Sequence, residues 1–405
     1  MQNTTRALRT LDDLDVEGRC VLVRADLNVP LVRDGDGAPP RVADDARIRA
    51  SLTTLSELAR RGGSVVLVSH LGRPENRDPA LSMAPVAQRL AQLTPAPVTL
   101  APAVVGEPVR AMARALEPGH ILLLENVRFE PGETRNDPEL AAALAELADL
   151  YVNDAFGTAH RAHASTEGVA HLLPSAAGRL LQREVDTLTA IVSRPARPLV
   201  TILGGAKVSD KIGVISRFLQ VADVVCLGGA MAFPFLVAQG HDVGASRCAS
   251  EDVEHAWRLL SAPAHARLEL PCDLMTADLA DPGSSEAEQT GVDIASDQTG
   301  LDIGPVTAQR YCAAIQAAGT VFWNGPMGRF ELTPFASGTA AVARAIGESN
   351  ALSVVGGGET VTALDALGDP ARITHVSTGG GAMLEFLEGR TLPGVQALLA
   401  PAAVA

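Results

Sequence analysis

Leu203-Gly-Gly-Ala-Lys207-Val-Ser-Asp-Lys211-Ile212 ends an apolar run, Leu199 to Leu203, and opens a helical pattern from Val208 to Gln220. The run reads as a buried strand, and the paired glycines break it before the helix begins. The turn therefore opens onto a helix N-terminus, where unpaired backbone N–H groups and the positive end of the helix dipole favour phosphate. Of the 33 basic residues only Lys207 and Lys211 are lysine, and the rest are arginine. Four apart on a helix, the two share one face. Lysine is a compact, movable charge and arginine a rigid fork, so this placement reads as chemistry on a phosphate. The alternative is a coding bias toward arginine that spared two lysines beside a structural turn.

Toward the N-terminus, strand and helix patterns alternate. Val21 to Val29 reads as a strand in which Arg24, Asp26 and Asn28 alternate with Val23, Leu27 and Val29, placing the polar groups on one side. Gly35 to Pro40 reads as a loop, and Asp44 to Arg60 as a helix with Arg47 near its start. Strand Ser64 to Ser69 runs into His70-Leu-Gly-Arg73-Pro74. Helix Met83 to Leu93, strand Val98 to Leu100, helix Val109 to Leu116 and strand Ile121 to Glu125 follow, leading to Asn126-Val-Arg128-Phe129. Helix Pro138 to Ala148 precedes strand Leu150 to Asn153 and the segment from Asp154 through His160, Arg161 and His163.

Such alternation implies a parallel sheet covered on both faces, with ligands beyond the carboxyl ends of its strands. His70, Arg73, Arg128 and Arg161 each follow an apolar strand. They should converge on one rim with Arg24 and Arg47 nearby, an arginine-lined anion site. Taken singly, each arginine is as well explained as a solvated surface charge, and His70 as a structural hydrogen bonder. His160 and His163 have no third ligand at suitable spacing, which favours structure over metal.

Gly178 to Val192 reads as a long amphipathic helix connecting two halves. Beyond it come strand Leu199 to Leu203, helix Val208 to Gln220, strand Asp223 to Leu227 with Gly228-Gly229, helix Ser250 to Leu260, and short strands Leu268 to Leu270 and Met275 to Ala277. Asp278 to Asp297 reads as excursions and turns. Helix Thr307 to Ala318 precedes strand Thr320 to Trp323 with Asn324-Gly-Pro-Met-Gly328. Strands Leu352 to Val355 and His375 to Ser377 end in Gly356-Gly-Gly-Glu359-Thr360 and Thr378-Gly379-Gly-Gly381. Strands ending in glycine let backbone approach a nucleotide closely. Tight strand-to-helix packing explains any one such turn equally well, and no GxxxxGK[ST] is present.

At 405 residues the chain suffices for two or three domains, and 47% hydrophobic with 20% charged residues is the composition of a soluble globule. A net charge of -14 opposes nonspecific attraction to nucleic acid or anionic membrane. The five cysteines show neither CxxC nor metal spacing and read as reduced thiols, hence a cytoplasmic protein. Met1 to Arg9 lacks the apolar core of an export signal, and no run is long enough to span a bilayer.

Together, Arg24-Ala-Asp-Leu-Asn-Val-Pro30, Ser69 to Pro74, Leu124-Glu-Asn-Val-Arg-Phe129, Asp154 to Ser165, Gly204 to Ile212, Leu301-Asp-Ile-Gly-Pro305, Phe322 to Gly328, the Gly356 triplet and His375 to Gly381 resemble the phosphoglycerate kinase family along nearly the whole chain. The resemblance implies two doubly wound, Rossmann-like α/β domains: residues 1–180 for phosphoglycerate, an interdomain helix over 181–195, residues 196–391 for nucleotide, and a tail, 392–405, returning to the first domain. It implies a phosphotransferase of glycolysis with a carboxyl group as acceptor, moving the acyl phosphate of 1,3-bisphosphoglycerate to ADP with Mg2+, reversibly, as a monomer that closes by hinge bending.

Carried over by motif, Asp26, Leu27, Asn28, Arg47, His70, Leu71, Gly72, Arg73, Arg128 and Arg161 form the phosphoglycerate site. Lys211, Gly300, Asn324, Glu331, Gly357, Gly358, Glu359 and Thr360 resemble the family's nucleotide site, which implies Glu331 at the ribose and Asn324 near the phosphates. By the same resemblance, Arg47, Lys207 and the helix N-terminus at Gly381 would act on the phosphoryl group in transit. Two departures stand out. Glu359 replaces the family's usual aspartate at the magnesium turn, and Ala382-Met383 follows the last glycine triplet where Ala-Ser is common. A different acyl-phosphate kinase, acting on an acid as small as acetate, would leave most of the polar rim unused. A two-domain solute-binding protein is opposed by the missing export signal and by the two lysines.

Overall fold

The computed structural model describes residues 7–33, 35, 38–278, 280 and 286–400. Residues 1–6, parts of the loop 35–40 and of the stretch 278–297, and tail residues 401–405 lie outside the described residues. The chain forms two compact units, one running to Asp186 and resuming at Thr391, the other Thr187–Arg390.

In the first unit, strands β1 (Cys20–Arg24), β2 (Ser64–Val68), β3 (Val98–Leu100), β4 (Ile121–Leu123), β5 (Leu150–Asn153) and β6 (Ser175–Ala177) form one parallel sheet in the order β3-β4-β2-β1-β5-β6. Strand β2 is buried at every position, as a sheet covered on both faces requires. Its core gathers Val21, Val23, Val65, Leu67, Ile121, Leu123 and Val152. The order reverses between β1 and β5, so the crevice lies beyond Arg24 and Asn153. The last described residues pack on this unit: Gly394 N donates to Ala159 O at 2.9 Å and Ala400 N to Ala7 O at 2.9 Å.

Strand β1 stops at Arg24 rather than Val29. Beyond it the backbone bonds to side chains instead of a neighbouring strand: Leu27 N donates to Ser69 Oγ at 2.9 Å and Asn28 N to Asp26 Oδ1 at 3.2 Å. Arg24 consequently turns inward and is 1% exposed, so it does not share a face with Asp26 and Asn28 as strict alternation would require. Strand β6, rich in small residues, was not anticipated from the sequence.

The second unit holds β7 (Leu199–Leu203), β8 (Val224–Leu227), β9 (Arg267–Glu269), β13 (Thr320–Asn324), β14 (Leu352–Gly356) and β15 (His375–Ser377) in a parallel sheet ordered β9-β8-β7-β13-β14-β15. Its reversal lies between β7 and β13, beside the Gly204 turn. Strands β10 (Leu274–Asp278), β11 (Glu288–Thr290) and β12 (Gln298–Ile303) form a separate antiparallel sheet, order β11-β10-β12. Met275 to Ala277 therefore belongs outside the main sheet. Helices Phe233–Ala238 and Ser337–Glu348 were also missed. The second is so rich in Ala, Gly and Ser that its apolar stripe is faint.

The helix expected from Val208 begins only at Ile212, with Lys211 as its N-cap. Ser209 N is captured by Asp252 Oδ1 at 2.8 Å, which holds the preceding residues in a turn. The two lysines accordingly do not share a helical face. Helix Arg179–Ser193 continues from one unit into the other. No helix among the described residues is long and apolar enough to cross a membrane.

Asp154 caps that connecting helix, its Oδ1 accepting Leu180 N at 2.9 Å and Leu181 N at 3.3 Å. Burial pushes its carboxyl up to about 6 from an ordinary 3.8, against the pull of the Thr54 hydroxyl and the two amides. Because the folded value is raised, the proton favours the native state. That contribution is complete below the unfolded value and is lost as pH rises through about 6. In urea unfolding, the wild-type chain should lose up to ~3 kcal/mol relative to Asp154→Asn between about pH 4 and pH 7. Parallel pH profiles for the two proteins would contradict this.

Candidate active site

The first unit delivers its sequence-nominated side chains to one edge because parallel strands all end there. Asp26 and Asn28 follow β1, His70 to Arg73 follow β2, Arg128 follows β4 and Arg161 follows β5. Arg47, on the first turn of helix Ala46–Arg60, donates to Asp26 Oδ2 at 2.7 Å. Asn28 Oδ1 accepts Gly72 N at 2.8 Å, and the Arg128 guanidinium donates to Gly72 O. Leu71 is buried, whereas Arg73 and Arg161 are exposed, with Arg161 Nε donating to His160 Nε2 at 3.0 Å.

The electrostatics show that the cations share one field. Arg128 is held below the usual arginine range by burial and then by Arg24, Arg161 and Arg73, with Glu133 opposing. His70, only 4% exposed, is driven well below 6.5 by burial, then by Arg24, Arg128, Arg47 and His163. It is a neutral ring in a cationic crevice. His163 Nδ1 lies 3.6 Å from the buried Glu133 carboxylate, which gives it a structural partner.

The organiser of this crevice is Asn126, wholly buried and quoted above only as part of a motif. Its Oδ1 accepts Leu71 N at 3.1 Å and Arg128 N at 3.2 Å, while its Nδ2 donates to Leu71 O at 2.8 Å and Leu81 O at 2.9 Å. One amide thereby locks the loops after β2 and β4 together.

In the second unit a cavity of about 610 Å³ is lined by Gly205, Gly300, Glu331 and Glu359, together with Phe233, Leu274, Pro326 and Met327. Phe233, Leu274 and the nearby Ile294 belong to one apolar cluster, which suits a flat ring. None of those three was foreseen. The only available signal was Gly228-Gly229-Ala-Met-Ala-Phe233, a glycine turn running into apolar residues.

Lys211, Asn324 and Thr360 do not line this cavity but bond to the turns next to its lining residues Gly205, Pro326 and Glu359. Lys211 Nζ donates to Gly204 O at 2.6 Å and Asn324 O at 3.1 Å, joining the ends of β7 and β13. Burial pushes its ammonium down to about 8, with Glu359 and Asp210 opposing. Thr360 Oγ1 accepts Gly325 N at 2.7 Å. Gly205 at φ +118° and Gly325 at φ +102° adopt the left-handed backbone these facing turns need. Lys207 is exposed, as are Gly358, Glu359 and Gly381, the last being the first residue of helix Gly381–Leu387; Gly357 is partly buried.

Residues 11–390 match the family model described as phosphoglycerate kinase. The chain belongs to the phosphoglycerate kinase family. The phosphoglycerate kinase of Rubrobacter xylanophilus is 51% identical over 391 residues, covering 96% of this chain and 98% of that one. That of Chloroflexus aurantiacus is 49% identical over 401 residues with the same coverage. The solved phosphoglycerate kinase of Coxiella burnetii superposes with a TM-score of 0.87 at 38% identity over 97% of this chain and 99% of that one.

Asn126→Ala should leave four backbone groups without their partner, two of them fully buried, at a cost of about 3 kcal/mol or more. A lowered thermal midpoint together with weakened binding of a phosphorylated acid to the first unit is expected, by calorimetry. An unchanged midpoint would show that the loops are held by something else.

Proposed function

We propose that this chain performs the reaction of its family: reversible transfer of the acyl phosphate of 1,3-bisphosphoglycerate to ADP, giving 3-phosphoglycerate and ATP. The observation that carries the reading is the first-unit crevice, where Arg24, Arg47 and Arg128 bear on His70, Arg73 and Arg161 bear on Arg128, and the carboxylates of Asp26 and Glu133 offset only part of the charge. Such a field suits a small acid bearing a carboxylate and phosphate. The acetate-sized alternative would leave most of it unsatisfied.

In this reading Arg73, Arg128, Arg161, Asn28 and His70 hold the glycerate, and the cavity around Gly300 holds the nucleotide with Glu331 at its ribose. Direct phosphoryl transfer requires alignment and neutralisation of the equatorial oxygens rather than a covalent nucleophile. Lys207 and Arg47 supply that charge, helped by the backbone N–H groups at Gly381. Lys207 suits the task because it is exposed, while Lys211 is committed to two carbonyls. The two ligands must meet for transfer, so domain closure belongs to the cycle and excludes water from it.

Among the described residues no three His, Cys, Asp or Glu side chains are grouped to hold a metal. Mg2+ accommodates this, since it is commonly held by one carboxylate together with substrate phosphates. Glu359, exposed at the cavity wall on the first turn of helix Gly358–Leu367, is the residue that would hold it. When bound, the ion neutralises phosphate charge. The longer glutamate side chain allows that contact to be direct or through water. Five unpaired thiols fit a reducing compartment, and we take the enzyme to be a cytoplasmic monomer.

A coupled assay supplying 3-phosphoglycerate and MgATP and trapping the acyl phosphate tests the whole reading, and no trapped product would reject it. Lys207→Ala should lower kcat by at least ~10²-fold, the usual effect of removing a transition-state donor; near-normal turnover would end its assignment. Arg73→Ala should instead raise KM for the glycerate and spare the nucleotide. An effect confined to nucleotide KM would contradict its placement.

A further inference from the structure

Behind the cationic crevice lies a hydrogen-bonded chain whose every step has a fixed direction. Glu133, 1% exposed, sits where Glu130-Pro-Gly-Glu133 turns back on itself, its N–H donating to Glu130 O at 3.0 Å. Its carboxylate takes both donors of Ser165: the hydroxyl at 2.6 Å and the backbone N–H at 3.0 Å. With its only hydroxyl proton given to Glu133, Ser165 Oγ can act toward other groups only as an acceptor. It receives Arg24 Nε at 2.8 Å. Arg24 Nη1 donates to Ala25 O, and Nη2 lies 3.2 Å from His70 Nδ1.

A guanidinium has no acceptor, so His70 Nδ1 must be the acceptor of that last bond. The ring proton is then on Nε2. We propose that Glu133, acting through Ser165, is a positioning residue that holds Arg24 against His70 and so fixes His70 in the tautomer whose Nε2–H is available to the acidic substrate. The substrate part of this rests on the function proposed above; the tautomer does not.

Charge supports the same arrangement. The groups that bear on His70 are Arg24, Arg128, Arg47 and His163, all cationic or neutral, and with burial they keep the ring uncharged. Burial works against the Glu133 carboxylate, yet His163, Arg24 and Ser165 hold it below the usual range, so it stays ionised. Glu133 therefore compensates Arg24 from behind. Unlike Asp26, which pairs with Arg47 at the site itself, Glu133 offsets Arg24 without occupying the other arginines. Tyr151, wholly buried, donates its hydroxyl to Ser165 O at 2.8 Å and fixes the serine's backbone.

The test is 15N spectroscopy of the nine histidines in the full-length wild-type chain without substrate, with His70 identified by its loss in His70→Gln. The expected spectrum has His70 protonated on Nε2 alone and untitrated through the ordinary histidine range. A proton on Nδ1, or a charged ring at neutral pH, would overturn the proposal without any variant needing to fold. In Ser165→Ala and Glu133→Gln the His70 signals should move toward a mixture of tautomers. KM for 3-phosphoglycerate should rise ~10-fold or more, the effect of loosening a hydrogen bond to a charged ligand, while kcat and nucleotide KM hold. A purely structural role would lower the melting temperature and leave the His70 tautomer and that KM unchanged, which also overturns the proposal. Absence of kinase turnover in a wild-type protein whose His70 gives the expected spectrum would reject the function and leave the tautomer assignment standing.

Discussion

Parallel strands all end at the same edge of a sheet, and that constraint organises this molecule. Each crossover helix returns the chain to the opposite edge, so whatever follows a strand is delivered to the carboxyl-terminal side. In the first unit the segments after β1, β2, β4 and β5 bring guanidinium groups there, close enough that Arg128, lowered first by burial, is further destabilised in its charged form by its neighbours. A like-charged cluster of this kind is unfavourable until an anion arrives. In the proposed function, ligand binding would relieve repulsion as well as form hydrogen bonds, which would give a polyanion an advantage over a simple acid.

The second unit faces the same constraint with different residues. Glycines after its strands leave room at the sheet edge, and the carbonyls exposed there need donors. Lys211 supplies them to Gly204 and Asn324, across the point where the strand order reverses. This use of lysine is structural in its contacts, although its position beside the cavity couples it to Glu359. Lys207 and Lys211, four residues apart in the chain and alike in chemistry, are thus separated by surroundings: one ammonium is tied to backbone carbonyls and lowered to about 8 by burial, the other is exposed.

Asn126 and Glu133 illustrate a second layer of the same design. Neither lies among the charges that would meet a ligand, yet one amide sets the loops after β2 and β4, and one buried carboxylate anchors Arg24 through Ser165. Precise placement of several repelling cations demands such support, because each would otherwise swing toward solvent.

The apolar runs Leu199–Leu203, Ser64–Val68 and Leu150–Asn153 announce buried strands, because a sheet covered on both faces needs continuous hydrophobic sequence. Their alternation with helices determined a doubly wound fold, and the charged or glycine-rich residues after each strand determined which edge would carry chemistry. Composition alone singled out the Lys207 turn. Tertiary structure decided what local pattern could not encode. Asp252, from a distant helix, captured Ser209 and delayed a helix start. Ser69 drew the backbone after Arg24 off the sheet. Gly300 fell on an antiparallel strand that pairs with β10. The wall at Phe233 and the polarity of His70 likewise depend on partners far away in sequence, since burial and hydrogen-bond direction are properties of the assembled interior and have no period along the chain.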